Sequence, residues 1–153
     1  MAVYFFDSSA LVKRYVNEGG SAWVAAIADP NSGDHVYVAT ITGVEVVATL
    51  ARKLKGNLVS PVDAAAAVSR FHHDFANEYR LIGINDAVIT RSMAIAEAYA
   101  LRGYDAVQLG AALELNGRRM ALGAATLTLV TGDGELLTAA SAEGLLTDDP
   151  NLH

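Results

Sequence analysis

The chain reads as an α/β protein with a mostly parallel sheet, and three observations predict this. Short apolar runs at residues 3–6, 35–38, 81–84 and 126–130 are each followed by a helical pattern. The stretches between them carry helix punctuation, such as Ser60-Pro61-Val62-Asp63: a cap, a proline for the first helical position, then an acid. The chain has 153 residues, 52% of them hydrophobic, which suits one domain with a sizeable core. Strands alternating with helices require right-handed crossovers. The expectation is therefore a central sheet of four to five strands covered by helices on both faces, as three α/β/α layers.

Each element follows in order. Residues 3–6 predict a strand. Residues 8–17 predict a helix, stopped by Asn17-Glu18-Gly19-Gly20. Residues 21–28 predict a second helix, ended by Asp29-Pro30. Asn31-Ser32-Gly33-Asp34 is a turn before the strand at 35–38. A helix fits 43–55, ended by Gly56-Asn57, and another runs from Pro61 to about Asn77. After the strand at 81–84, residues 86–101 are helical, Gly103 breaks the pattern, and 105–116 are helical again. Residues 126–130 form a fourth strand, 131–134 a turn, 135–142 a short helix and 144–146 a last strand. One domain is expected over 1–147, with 148–153 as a solvated tail.

No run of about 18 apolar residues occurs, so no membrane-spanning helix is expected. The apolar start has no basic lead-in and is cut early by Asp7, which does not read as a secretory signal. The absence of cysteine excludes disulfides and thiolate metal sites and fits a cytoplasmic protein. The formal net charge is −6, from 17 acidic and 11 basic side chains. A general polyanion binder is usually basic, so any nucleic-acid chemistry here needs a local basic patch or bound cations. Lys13-Arg14, Arg52-Lys53-Lys55 and Arg118-Arg119 are the basic clusters, each expected as a solvated face or a helix C-terminus.

Four acids stand in apolar surroundings: Asp7 after Phe5-Phe6, Glu45 between Val44 and Val46, Asp105 before Ala106-Val107, and Asp133 after the fourth strand. Each has a structural role available. Asp7 can cap the helix that starts at Ser8. Thr42-Gly43-Val44-Glu45 and Asp105 with Gln108 are capping-box patterns. Asp133 sits in a glycine-flanked turn. Together they suggest more. In open parallel sheets, sites form beyond the carboxyl ends of the strands, and three of these acids fall at helix starts, where negative charge is favoured. Converging carboxylates repel unless cations lie among them. An all-oxygen set suits Mg²⁺, with Mn²⁺ as substitute, rather than zinc. Such a set can hold metal ions about 4 Å apart for phosphodiester cleavage.

VYFFDSSALVKRYV, TGVEVVATLARKL, LRGYDAVQLGAAL and LVTGDGELL, in this order and spacing, resemble the PIN-domain family, and within it VapC-like toxins of toxin–antitoxin pairs. The resemblance spans nearly the whole chain. It implies a PIN-like α/β/α fold and a Mg²⁺-dependent endoribonuclease with Asp7, Glu45, Asp105 and Asp133 as its acidic quartet. Asp7, Asp105 and Asp133 would hold the metal directly or through water, and Glu45 would orient or deprotonate the attacking water or join the coordination shell. Thr131 matches the family's usual hydroxyl, and Ser8 lies next to the first acid. Both are expected to hydrogen-bond a carboxylate or a phosphate oxygen. Where some relatives carry a further acid or a polar group one turn after the third acid, Gln108 and Leu109 stand here, which implies a weaker second metal. The resemblance also implies RNA as substrate, products ending in 5′-phosphate and 3′-hydroxyl, a cognate antitoxin, and a homodimer or antitoxin groove built from the 43–55 and 61–77 helices.

Three other readings compete. A PIN-type nuclease can serve RNA processing outside a toxin pair. A PIN-like module can bind without catalysis, although all four acids are kept. A haloacid-dehalogenase-type phosphotransferase wants an acid two residues after the first, and Ser9 stands there. The adjacent His72 and His73 face different ways on a helix and do not form a metal pair. Trp23 and Tyr104 are expected to pack in the core rather than stack on bases.

Overall fold

The computed structural model describes residues 1–153. Val3–Phe6 form β1, which lies mid-sheet because both of its faces are apolar. Successive strand residues point to opposite faces. Phe5 and Phe6 are both fully buried, and they enter different cores. The other strands obey the same alternation. In β2 (His35–Ala39), Val36 and Val38 join the Phe6 core, while Tyr37 and Ala39 join the Phe5 core. In β4 (Thr128–Val130), Leu129 joins the Phe5 core and Val130 the other.

Two cores on two faces make three layers. One face is covered by α1 (Ser8–Leu11), α2 (Ser21–Ile27), α3 (Thr42–Lys55) and α4 (Pro61–Asn77), through Leu11, Val24, Leu50 and Phe71. The other is covered by α5 (Asp86–Tyr99), α6 (Gly103–Ala121) and α7 (Gly134–Ala142), through Val88, Leu109 and Leu136. With β3 (Arg80–Ile82) and β5 (Leu146–Asp148), the five strands run in the order β3-β2-β1-β4-β5. All four pairings are parallel. The expected fold is thus observed. Chain order reverses between β1 and β4, and a crevice forms at such a switch point.

The structure departs from expectation in four places. The helix expected over 8–17 ends at Leu11 and tightens into a 3-10 turn at Val12–Arg14. Three residues per turn send successive side chains three ways. Val12 enters the core, Lys13 reaches Gly19 and Asn151, and Arg14 reaches Glu78. Gly103 does not break a helix but begins α6, where its N–H needs no intrahelical partner. The last strand lies two residues later than expected, because Gly144, at φ +87, completes the turn before it. Finally, residues 148–153 pack onto the body. Asp148 pairs with Val130 in the sheet, Pro150 is buried, and His153 stacks on Trp23 with ring centroids 4.1 Å apart.

Candidate active site

Asp7 directly follows β1, and its backbone N–H donates to Val130 O of β4 at 3.2 Å. The residue is the N-cap of α1. Its Oδ1 accepts from the Ala10 N–H at 2.9 Å and the Ser9 hydroxyl at 2.8 Å, and its Oδ2 accepts from the Thr131 hydroxyl at 2.6 Å. The carboxylate is therefore fixed from both strands of the switch point. Burial pushes its pKa up from 3.8 to about 6; hydrogen bonds from Thr131, Ala10 and Ser9 oppose the rise, and the Asp105 charge adds to it.

Asp133 follows β4 and caps α7, accepting from the Leu136 N–H at 2.9 Å. Thr131 ties it to Asp7, because the Asp133 N–H donates to the same hydroxyl at 3.1 Å. Ser9 is the second tie. Its Oγ accepts from the Gly132 N–H at 3.0 Å while donating to Asp7. The bond expected of Ser8 thus belongs to Ser9, and Ser8 lines the adjoining cleft.

Glu45 and Asp105 arrive by a different route. Neither expected capping box forms. Ile41, not Thr42, precedes α3, and Arg102, not Asp105, precedes α6; neither helix start has a side-chain cap bond. The buried Gln108 instead donates from Nε2 to the buried Thr42 Oγ1 at 2.8 Å. That one bond ties the first turn of α3 to the first turns of α6. It leaves Glu45 and Asp105 with their carboxylates uncommitted to caps. Glu45 Oε1 is buried and has no hydrogen-bond partner.

The four acids meet electrostatically at Asp105. Burial raises its pKa first, then the charges of Asp133 and Glu45, with Arg102 opposing and Glu135 adding a smaller rise. Glu135, exposed on the first turn of α7, is a fifth nearby acid that sequence reasoning passed over. It also passed over Ser9; the available signal was its position in the first turn of a helix capped by Asp7. Tyr104, expected in the core, is 59% exposed beside Asp105.

The donors fit a small divalent cation. They are all oxygen, they repel one another, and a buried carboxylate oxygen lacks a partner. The three metal-ligating groups that do lie within 4.8 Å of one another are elsewhere, at His73, Asp74 and Glu78, and a cation already serves them. Arg14 Nη1 lies 3.2 Å from Asp74 and 2.8 Å from Glu78, and the Tyr15 hydroxyl donates to Asp74 at 2.8 Å. Lys13 and Arg14, expected as a solvated pair, are both held inside such networks.

Two proteins of Mycobacterium tuberculosis named ribonuclease VapC45 and ribonuclease VapC49 are each 32% identical to this chain over 144 residues, covering 94% of it and 93% of their own length. The chain belongs to the VapC ribonuclease family. Among VapC-family and related structures, a toxin–antitoxin complex from Klebsiella pneumoniae superposes with a TM-score of 0.63 at 19% identity, covering 98% of both chains. That likeness is one of fold, and it is the PIN-domain fold described above. No protein-family profile matches the chain. No helix of this VapC-family chain is long and apolar enough to cross a membrane.

Proposed function

We propose that this protein is a Mg²⁺-dependent endoribonuclease and the toxin of a type II toxin–antitoxin pair, acting in the cytoplasm. The observation that best supports this reading is the charge environment at the β1/β4 switch point, where the charges of Asp133 and Glu45 act on Asp105 and that of Asp105 acts on Asp7, with the Arg102 charge opposing at Asp105. Asp7, Asp105 and Asp133 are the residues that would hold the cation, directly or through water. When bound, the cation supplies an activated water and offsets charge on the leaving oxygen. The chain's own residues do the rest. Thr131 and Ser9 hold Asp7 in one orientation. Glu45 Oε1, buried and unpaired, receives a proton from the attacking water. No histidine takes part, which argues against the RNA 2′-hydroxyl as nucleophile, and the family resemblance implies products that end in 5′-phosphate and 3′-hydroxyl.

The partner belongs to the same reading. A groove of about 570 Å³ runs between residues 15–18 and helices α3 and α4, lined by Tyr15, Glu18, Leu50, Leu58, Ala64 and Ala67. Val44, Leu58 and Val62 stay exposed nearby, at 68, 74 and 77%. In this reading the antitoxin covers that face, and the chain assembles as a homodimer.

The test is cleavage of mixed RNA in Mg²⁺, in Mn²⁺ and in EDTA by wild type, Asp7→Asn and Asp105→Asn. Cleavage is expected only for wild type with metal, with 5′-phosphate ends. Activity that survives EDTA, or survives both substitutions, overturns the metal mechanism.

A further inference from the structure

A cleft of about 410 Å³ opens beside the acid cluster, with Asp133 and Ser9 in its wall. Ser8, Lys13, Thr49 and Lys53 line it together with Glu18, Gly132 and Asn151, and Val12 is its one hydrophobic group. Two ammonium groups therefore serve one small polar space in a chain of net charge −6.

The lysines are held unequally. Lys13 is buried and fixed by short bonds to Gly19 O at 2.8 Å and Asn151 Oδ1 at 2.9 Å. Its third contact is longer, to Glu18 Oε1 at 3.3 Å. Lys53 has one ion-pair partner, Glu18 Oε2 at 3.6 Å. One carboxylate thus spans both cations by the loosest contacts in the cluster, and its side chain is 33% exposed. A carboxylate that bridges two lysines with two oxygens stands where a phosphate would stand with its own two.

We infer that this cleft binds a backbone phosphate of the RNA strand adjacent to the scissile one, and that Glu18 holds the place of that phosphate in the free protein. The inference rests on the ribonuclease reading above. Gly19 O and Asn151 keep Lys13 in position when Glu18 leaves, so the site persists without its internal counter-ion. Glu18 swings outward along its exposed side. The Ser8 and Thr49 hydroxyls supply further donors to phosphate oxygens. Asp133 also lines the cleft, so a strand lying in it passes beside one of the four acids.

The experiment is binding of a short single-stranded RNA followed by fluorescence anisotropy across a salt series in EDTA, so that affinity is read without cleavage. Wild type, Glu18→Gln, Lys53→Gln and the double variant are compared. Both side chains are partly exposed, and thermal melts check that each variant folds. Glu18→Gln is expected to tighten binding several-fold. Lys53→Gln is expected to weaken it and to reduce the salt slope by about 0.7, the share of one phosphate contact on a single strand. In the Lys53→Gln background the gain from Glu18→Gln shrinks.

Unchanged affinity in both single variants overturns the inference, as does an absence of RNA binding by wild type. Displacement of RNA by a poly-glutamate peptide as readily as by RNA assigns the cleft to another anion and also overturns it. The two readings separate cleanly. RNA cleavage in Mg²⁺ with unresponsive variants sinks the cleft and leaves the nuclease. Binding that depends on Lys53 and Glu18 without cleavage does the reverse.

Discussion

Asp7 carries a cost that its three hydrogen bonds offset only in part. Its ordinary pKa is 3.8 and its folded value is about 6. The folded state therefore binds the proton more tightly than the unfolded chain, so ionisation works against folding. Without divalent metal, the Asp7 contribution to stability is most favourable below pH 3.8, falls as pH rises from 3.8 to about 6, and is level above that. The full span is about 3 kcal/mol. Asparagine caps a helix as well as aspartate does and carries no charge. Asp7→Asn is accordingly expected to resist urea better than wild type at pH 8 in EDTA, with the advantage gone at pH 4. Equal urea midpoints for the two proteins at pH 8 would remove the buried charge as the source of strain. Thr131 and Ser9 set the direction of that carboxylate. Ser9→Ala is expected to raise the Mg²⁺ concentration for half-maximal cleavage about 10- to 100-fold, the usual penalty for losing a ligand's hydrogen-bond partner. A metal titration of activity measures it, and an unchanged midpoint would leave Ser9 without a positioning role.

At the scale of elements, helices α5 and α6 approach so closely that residue 110 has room for hydrogen alone. A Cβ there would lie 2.1 Å from the Ser92 hydroxyl oxygen and 3.2 Å from the Ser92 Cβ and N. Ser92 is itself buried and donates to Val88 O at 2.7 Å. Gly110→Ala is expected to cost about 1–3 kcal/mol, as overpacking of a filled core does, which lowers Tm by roughly 2–4 °C per kcal/mol in a chain of this size. Calorimetry checks this, and a Tm at or above wild type would show that the two helices can separate freely. Gly20 is constrained twice over: its φ is +82, and a Cβ would lie 2.0 Å from Pro150 O. That contact seats the C-terminal segment against the Glu18–Gly20 loop, which is how Asn151 comes to reach Lys13. The short α1 and the uncapped starts of α3 and α6 share a cause. In each, a side chain that local rules assign to its own helix bonds across the fold instead, as Gln108 does with Thr42.

For the molecule as a whole, the parallel order β3-β2-β1-β4-β5 places the ends of β1 and β4 side by side. Two carboxylates follow those strands directly or nearly so, and helices α3 and α6 bring two more. A cation bound among them stabilises the folded state alone, because the unfolded chain does not gather them. Mg²⁺ or Mn²⁺ is expected to raise the Tm of wild type more than that of Asp105→Asn, since Asp105 is the acid that interacts with the other three. Equal shifts in the two proteins would remove Asp105 from the ligand set.

The sequence alone determined the layered α/β architecture, because the short apolar runs of β1, β2 and β4 and the punctuation of α4 are local signals. It also determined which acids were candidates, because Asp7 sits directly at the end of an apolar run and Asp133 follows the end of another at two residues' remove. Both readings of those two hold together: each caps a helix and each faces the switch point. Only the tertiary structure decided what became of Glu45 and Asp105. Their local patterns spelled capping boxes, and a single buried bond between helices 66 residues apart in sequence overrode them. The same holds for Ser9 in place of Ser8, and for Lys13 drawn from a solvated face into a network with Asn151. Local propensity is a matter of tenths to about 2 kcal/mol per cap, whereas leaving a buried polar group such as Gln108 unpaired costs about 1–3 kcal/mol. Where the two conflict the long-range bond wins, and here the conflict falls at the acid cluster.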